Sequence, residues 1–105
     1  MDIFRFMIYT ENPRFEWDPN KARSNLVKHG ISFEEGLAIF DDPRALVFQD
    51  AKHSTAGEER RWLLGESEKG ILVVIFTSRG LGKAIRLISV RRAGRRERRR
   101  YEEER

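Results

Sequence analysis

From Phe15 onward the spacing of apolar positions divides the chain into a helical part followed by a strand-rich part. FEWDPNKARSNLVKHG, Phe15 to Gly30, reads as a short strand entering a helix. Asp18 is an effective N-cap. Pro19 suits the first helical position, and Gly30 suits the left-handed residue that closes a helix. Ser32 and Glu35 then form a capping box, worth about 1 kcal/mol, for a second helix with Phe33, Leu37 and Phe40 on one stripe. Asp42-Pro43 ends it. Beyond this point RALVFQD (Arg44 to Asp50), RRWLLGE (Arg60 to Glu66), ILVVIFTSR (Ile71 to Arg79) and AIRLISVRR (Ala84 to Arg92) are rich in β-branched and aromatic residues and predict four strands in an antiparallel meander. ILVVIFTS is apolar on both faces, which marks the central strand. In AIRLISVRR, strict alternation sets Arg86 opposite Ile85, Leu87 and Ser89 and on the same face as Ile88 and Val90. RGLGK (Arg79 to Lys83) reads as a mobile turn, and the tail from Ala93 predicts a third helix. The pattern implies an α+β fold: two N-terminal helices and one C-terminal helix on one face of a mainly antiparallel sheet of four to five strands, with the other face left for use.

At 105 residues the chain fits one domain, without repeats or an internal linker. Residues 1–14 read as an extension or short strand, and 93–105 as a basic helix. The absence of cysteine excludes disulfides and thiolate metal sites, in keeping with a reducing, cytoplasmic setting. No segment resembles a membrane span or a signal peptide. Lysine and arginine total 21 against 17 acidic residues, for a net charge of +4 and a pI near 9.8. The excess is concentrated in RRAGRRERRR, Arg91 to Arg100, which suits a phosphate-rich partner because the guanidinium fork matches phosphate oxygens.

Several side chains stand out against this background. Ala22, Asn25, Leu26 and His29 share a stripe of the first helix, so two polar groups on an inward face need partners or a purpose. His29 lies in the last turn, where the helix dipole predicts an imidazole protonated nearer neutrality than a free one. Lys28 beside it is placed to donate to a phosphate or simply to be solvated. Arg79, Arg86, Arg91 and Arg92 are expected to converge on one sheet face. Arg86, inside a strand, calls for either a phosphate or an ion pair with Glu97. Tyr101, one turn beyond Glu97, reads as a packing aromatic or a proton donor. Arg95, Arg96, Arg98 and Arg99 supply further phosphate contacts. His53, in the polar loop DAKHSTAGEER, is a supporting candidate. The two histidines are far apart in sequence, with no metal-ligand spacing and no glycine-rich phosphate loop. No metal or cofactor is expected. On these residues alone a phosphate-rich partner such as nucleic acid is expected, with His29 either catalytic or merely bonded to the last carbonyls or Asn25; a non-catalytic nucleic-acid-binding module and a purely structural partner protein stand as alternatives.

The order FEWDPNK, N..KHG, ISFEE, F.DP, an ER with glycine five residues on (Glu59, Arg60, Gly65), IRLISVRRA and a final E...Y resembles the BrnT-type toxins of bacterial type II toxin–antitoxin systems, over Phe15 to Tyr101. The resemblance implies a RelE-like fold, metal-independent RNA cleavage that inhibits translation, and neutralisation by a BrnA-type antitoxin with a DNA-binding domain, in a complex that represses its own operon and can assemble further. It implies His29 as acid or base, Arg79, Arg86 and Arg91 as phosphate-stabilising groups, and Lys28 in support. Three positions depart from the family's usual pattern: Val90 in place of alanine, Gly94 in place of threonine, and Arg61 in place of an aromatic residue.

Overall fold

The computed structural model describes residues 14–80 and 82–104, so all of the expected N-terminal extension except Arg14 lies outside the described residues. Strand β1 (Arg14–Glu16) leads into helix α1 (Pro19–His29). The Asp18 carboxylate accepts the backbone N–H of Asn20, and Gly30 closes the helix at φ 71° with its N–H on the Leu26 carbonyl. Helix α2 (Phe33–Gly36) opens with the reciprocal Ser32–Glu35 box. It then tightens into a 3-10 turn over Leu37–Asp41 instead of continuing as an α-helix to Phe40. Short 3-10 segments commonly finish helices in this way.

The remaining chain forms β2 (Leu46–Gln49), β3 (Arg60–Ser67), β4 (Gly70–Arg79), β5 (Ala84–Arg92) and helix α3 (Arg95–Glu103). The sheet order is β1-β5-β4-β3-β2, and β4 is central as its doubly apolar sequence requires. The strands from β2 to β5 are an antiparallel meander, and β1 joins β5 in parallel.

One face of the sheet contributes Leu63, Leu72, Val74, Phe76, Ile85, Leu87 and Val90 to the main core beneath Ile31, Phe33, Ile39 and Phe40. The expectation that all helices lie on this face needs correction. Tyr101 of α3 packs with Leu64 and Val73, whose side chains point the opposite way, and with Phe48, Trp62 and Ile75 around them. Two helices therefore cover one face and the third covers part of the other. The apolar surface on both sides of β4 is what demands this second cover.

A second correction concerns β5. The register shifts between Ile75 and Phe76, so Leu87 faces Phe76 while Ser89 faces Ile75, leaving Ile88 as an extra residue. Such a bulge reverses the alternation beyond it. Val90 consequently turns into the core at 0% exposure, off the face that alternation assigned to it beside Arg86. Arg91 moves onto the α3 face, in register with Val73. Val90 is accommodated because residue 36 is glycine: a Cβ there would lie 2.8 Å from one Val90 methyl.

The bulge leaves backbone groups of β5 without a strand beside them, since β1 reaches only Ala84 to Arg86. Asn25 of α1 fills that place. Its amide donates to the carbonyls of Val90 (2.8 Å) and Ile31 (3.1 Å), and its carbonyl accepts the Val90 N–H (3.1 Å). A buried polar residue on an apolar stripe thus acts as a one-residue edge strand.

Candidate nucleic-acid interface

Fixing α1 to β5 through Asn25 places the end of the helix against the end of the strand. Arg92 Nη1 donates to the His29 carbonyl at 3.4 Å. Lys21, Ser24, Asn25, Lys28, His29, Ile88 and Ser89 surround a shallow cleft of about 200 Å³ there. The imidazole of His29 is held below its ordinary pKa, first by partial burial and then by the nearby charges of Lys28 and Arg91. This reverses the expectation from the helix dipole: burial and two real cations outweigh the partial charge of a helix end. These influences favour the neutral imidazole, which is able to accept a proton.

Arg91 is held from the other side. Its guanidinium makes a two-pronged pair with Glu97 of α3, at 2.7 and 2.8 Å, and lies over the Trp62 ring at 5.8 Å. The pair lowers the Glu97 pKa and raises that of Arg91, so both stay charged. Glu97 also accepts the N–H of Gly94 at 2.8 Å, which caps α3 even though Gly94 has no side-chain oxygen of its own. Glu97 thus pairs with Arg91 and not with Arg86. The bulge is the reason, because it brings Arg91 onto the face where α3 sits.

Arg86 is in register with Thr77 on that same face and has no hydrogen bond or ion pair among the described residues. Thr77 and Val73, which mark the levels of Arg86 and Arg91, are four strand residues apart, about 14 Å. Arg79 is farther still, two residues beyond Thr77, or about 20 Å from the level of Arg91. The arginines thus form a track along the sheet and do not converge on one point. Arg95, Arg96, Arg98 and Arg99 are exposed along α3.

Tyr101 is 2% exposed, and its hydroxyl donates to Asp42 Oδ2 at 2.6 Å. Asp42 also accepts the N–H groups of Glu66 and Arg44. Burial pushes the Asp42 pKa up, but these three donors pull it down by more. The phenol is engaged in holding α3 to the body of the domain, which favours packing over proton donation.

His53 stands near the other sheet edge. Its Nδ1 lies 3.0 Å from both carboxylate oxygens of Asp50, which is 7% exposed. Burial raises the Asp50 pKa, while the Trp62 indole and the His53 ring lower it by more, so the carboxylate stays ionised. Among the described residues no group of three or more carboxylates and histidines could hold a metal.

Sequence reasoning missed Trp62, Phe48 and Asp50. The strand pattern marks the two aromatics as sheet formers, whereas the register sets them side by side on the face that Arg91 joins.

The family described as "Ribonuclease toxin, BrnT, of type II toxin-antitoxin system" matches residues 17–97. The chain belongs to the BrnT family. No curated protein is similar enough to match it. The match to the BrnT family takes in the α1–β5 junction, β2, β3 and the Arg91–Glu97 pair, while Arg98, Arg99 and Tyr101 lie beyond the matched residues. An RNA substrate and an antitoxin partner follow from that membership. No helix among the described residues is long and apolar enough to cross a membrane.

Proposed function

We propose that this chain is a metal-independent endoribonuclease that inhibits translation in the cytoplasm and is neutralised by a BrnA-type antitoxin carrying a DNA-binding domain, in a complex that represses its own operon and can form higher-order assemblies. The observation that carries the catalytic part is the imidazole of His29, set in a cleft lined also by Lys21, Lys28 and Ser89, with its pKa depressed by burial and by the charges of Lys28 and Arg91. In the reaction, His29 removes the ribose 2′-OH proton and the 2′-oxygen forms a bond to the adjacent phosphorus. The bond from phosphorus to the 5′-oxygen breaks, and that oxygen takes a proton from water. Arg91 stabilises the charge that builds on the phosphoryl oxygens, and Lys28 and Arg92 assist it. General base help is worth about 10²–10⁴-fold and one well-placed donor roughly 3 kcal/mol, enough for a slow toxin. The distances along β4 and β5 support giving Arg86 and Arg79 flanking phosphates, with Arg95, Arg96, Arg98 and Arg99 supplying general attraction. Asn25 and Glu97 position His29 and Arg91, and Tyr101 fixes α3.

Metal independence is tested by incubating the purified chain with RNA in excess EDTA. Cleavage is expected at an unchanged rate, leaving 2′,3′-cyclic phosphate and 5′-hydroxyl ends. RNA carrying 2′-deoxyribose at the cleaved position should resist. Loss of activity in EDTA with recovery on adding a divalent ion would refute the assignment, whereas tight binding without any cleavage would identify a non-catalytic binding module.

A further inference from the structure

Between α3 and the β2–β3 pair lies a recess of about 370 Å³ lined by Phe48, Gln49, Trp62, Arg96, Glu97 and Arg100. We propose that this recess seats one unpaired nucleobase of the RNA, next to the phosphate held by Arg91; the proposal rests on the ribonuclease reading above. Phe48 and Trp62 are direct cross-strand partners on the same sheet face, so their rings form a continuous aromatic floor. Both rings already carry planar cations: the Arg91 guanidinium lies over Trp62 at 5.8 Å and that of Arg100 over Phe48 at 5.1 Å. A nucleobase is the other common planar group that stacks on such faces, and the exposed Arg100 side chain is free to lift from its ring and cover a base instead.

The charge of the recess points the same way. Its one acid, Glu97, is already engaged with Arg91, and Arg96 and Arg100 add positive charge to the wall, Arg100 with Glu104 3.8 Å away as its partner. An aromatic floor beneath a cationic wall complements a polyanion with π faces better than it complements an acidic peptide, whose aromatic groups are optional. The recess is also of a size that takes a small planar ligand. Gln49, whose amide nitrogen donates to Glu59 at 3.0 Å, completes the lining. Arg91 lies over the Trp62 ring and its charge is among those felt by His29, so a base on Trp62 and a phosphate on Arg91 would belong to adjacent parts of one strand. Bases in a duplex do not present free faces, so the recess selects single-stranded RNA.

The test uses fluorescence anisotropy with 2′-O-methyl oligonucleotides, which cannot be cleaved: a decaadenylate and an abasic backbone of equal length. The parent chain is expected to bind the decaadenylate about 10-fold more tightly than the abasic strand. Trp62→Leu should weaken decaadenylate binding by about 10-fold and leave abasic binding unchanged, while Trp62→Phe, which keeps a π face, should retain most of the affinity. Circular dichroism and the abasic arm confirm that the variants are folded. Equal binding of the two strands by the parent chain, or equal weakening of both by Trp62→Leu, would overturn the proposal. So would a Trp62-dependent response to an acidic, phenylalanine-bearing decapeptide with none to RNA. Binding and cleavage fail separately. A chain that shows this binding pattern but cleaves no RNA keeps the recess and loses the ribonuclease reading. One that cleaves RNA without the pattern does the reverse.

Discussion

Arg91→Ala should lower kcat/KM for RNA cleavage by about 10²–10³-fold, the cost of removing one fixed donor from a developing phosphoryl charge. Two effects combine in this variant. The guanidinium that stabilises the transition state is lost, and Glu97, no longer paired, puts a bare carboxylate beside the path of an anionic substrate. Arg91→Lys should recover only part of the rate, because an ammonium restores the charge but not the two-pronged geometry. A structural role alone would not move the titration of His29. Arg91 is one of the two cations that depress its pKa, so Arg91→Ala should raise that pKa toward the ordinary imidazole value, as read by NMR. Unchanged turnover together with an unchanged His29 titration would show that the two side chains do not share a site.

The largest effect on stability is expected at Asn25. Three of its hydrogen bonds occupy the carbonyls of Val90 and Ile31 and the N–H of Val90, and in a fourth its carbonyl accepts the Ser89 hydroxyl, close to where β5 bulges. Asn25→Ala leaves these groups without partners and should cost about 2–4 kcal/mol, a large part of the roughly 5–15 kcal/mol that holds a typical domain together. Asn25→Asp separates hydrogen bonding from packing: it has nearly the same shape but cannot donate to either carbonyl, so it should be nearly as destabilising. Urea titration measures both. An Asp variant as stable as the parent would mean that shape and not amide donation fixes α1 to the strand.

Much of the architecture was legible because it is written in local chemistry. The Asp18, Pro19 and Gly30 signals and the Ser32–Glu35 box depend on residues within a few positions of one another, and the structure realises each of them. The strand starts and ends followed equally from apolar runs and their punctuation. The candidate site was less legible, because one inserted residue in β5 decides it. Reading AIRLISVRR as an unbroken alternation places Val90 outside and separates Arg91 from Arg86; the bulge at Ile88 buries Val90 and puts both arginines on one face. Nothing local in those nine residues announces the bulge, which is matched by Asn25, 65 positions away from Val90. The pairing of Glu97 with Arg91, the cover of the second face by α3 and the seat beside Trp62 all follow from that register. The lowered pKa of His29 was likewise out of reach, since it depends first on burial in the folded chain and only then on charge, part of it from Arg91 on a distant strand.

The most direct test is the pH dependence of single-turnover RNA cleavage by the parent chain and by His29→Gln. A base must be unprotonated to act, so the rate should rise with pH through a midpoint below the ordinary imidazole value of about 6.5 and then level off. His29→Gln should be slower by about 10²–10⁴-fold and should lack that rising limb. A His29→Gln variant that cleaves at the parent rate, with the limb still present, would contradict the account.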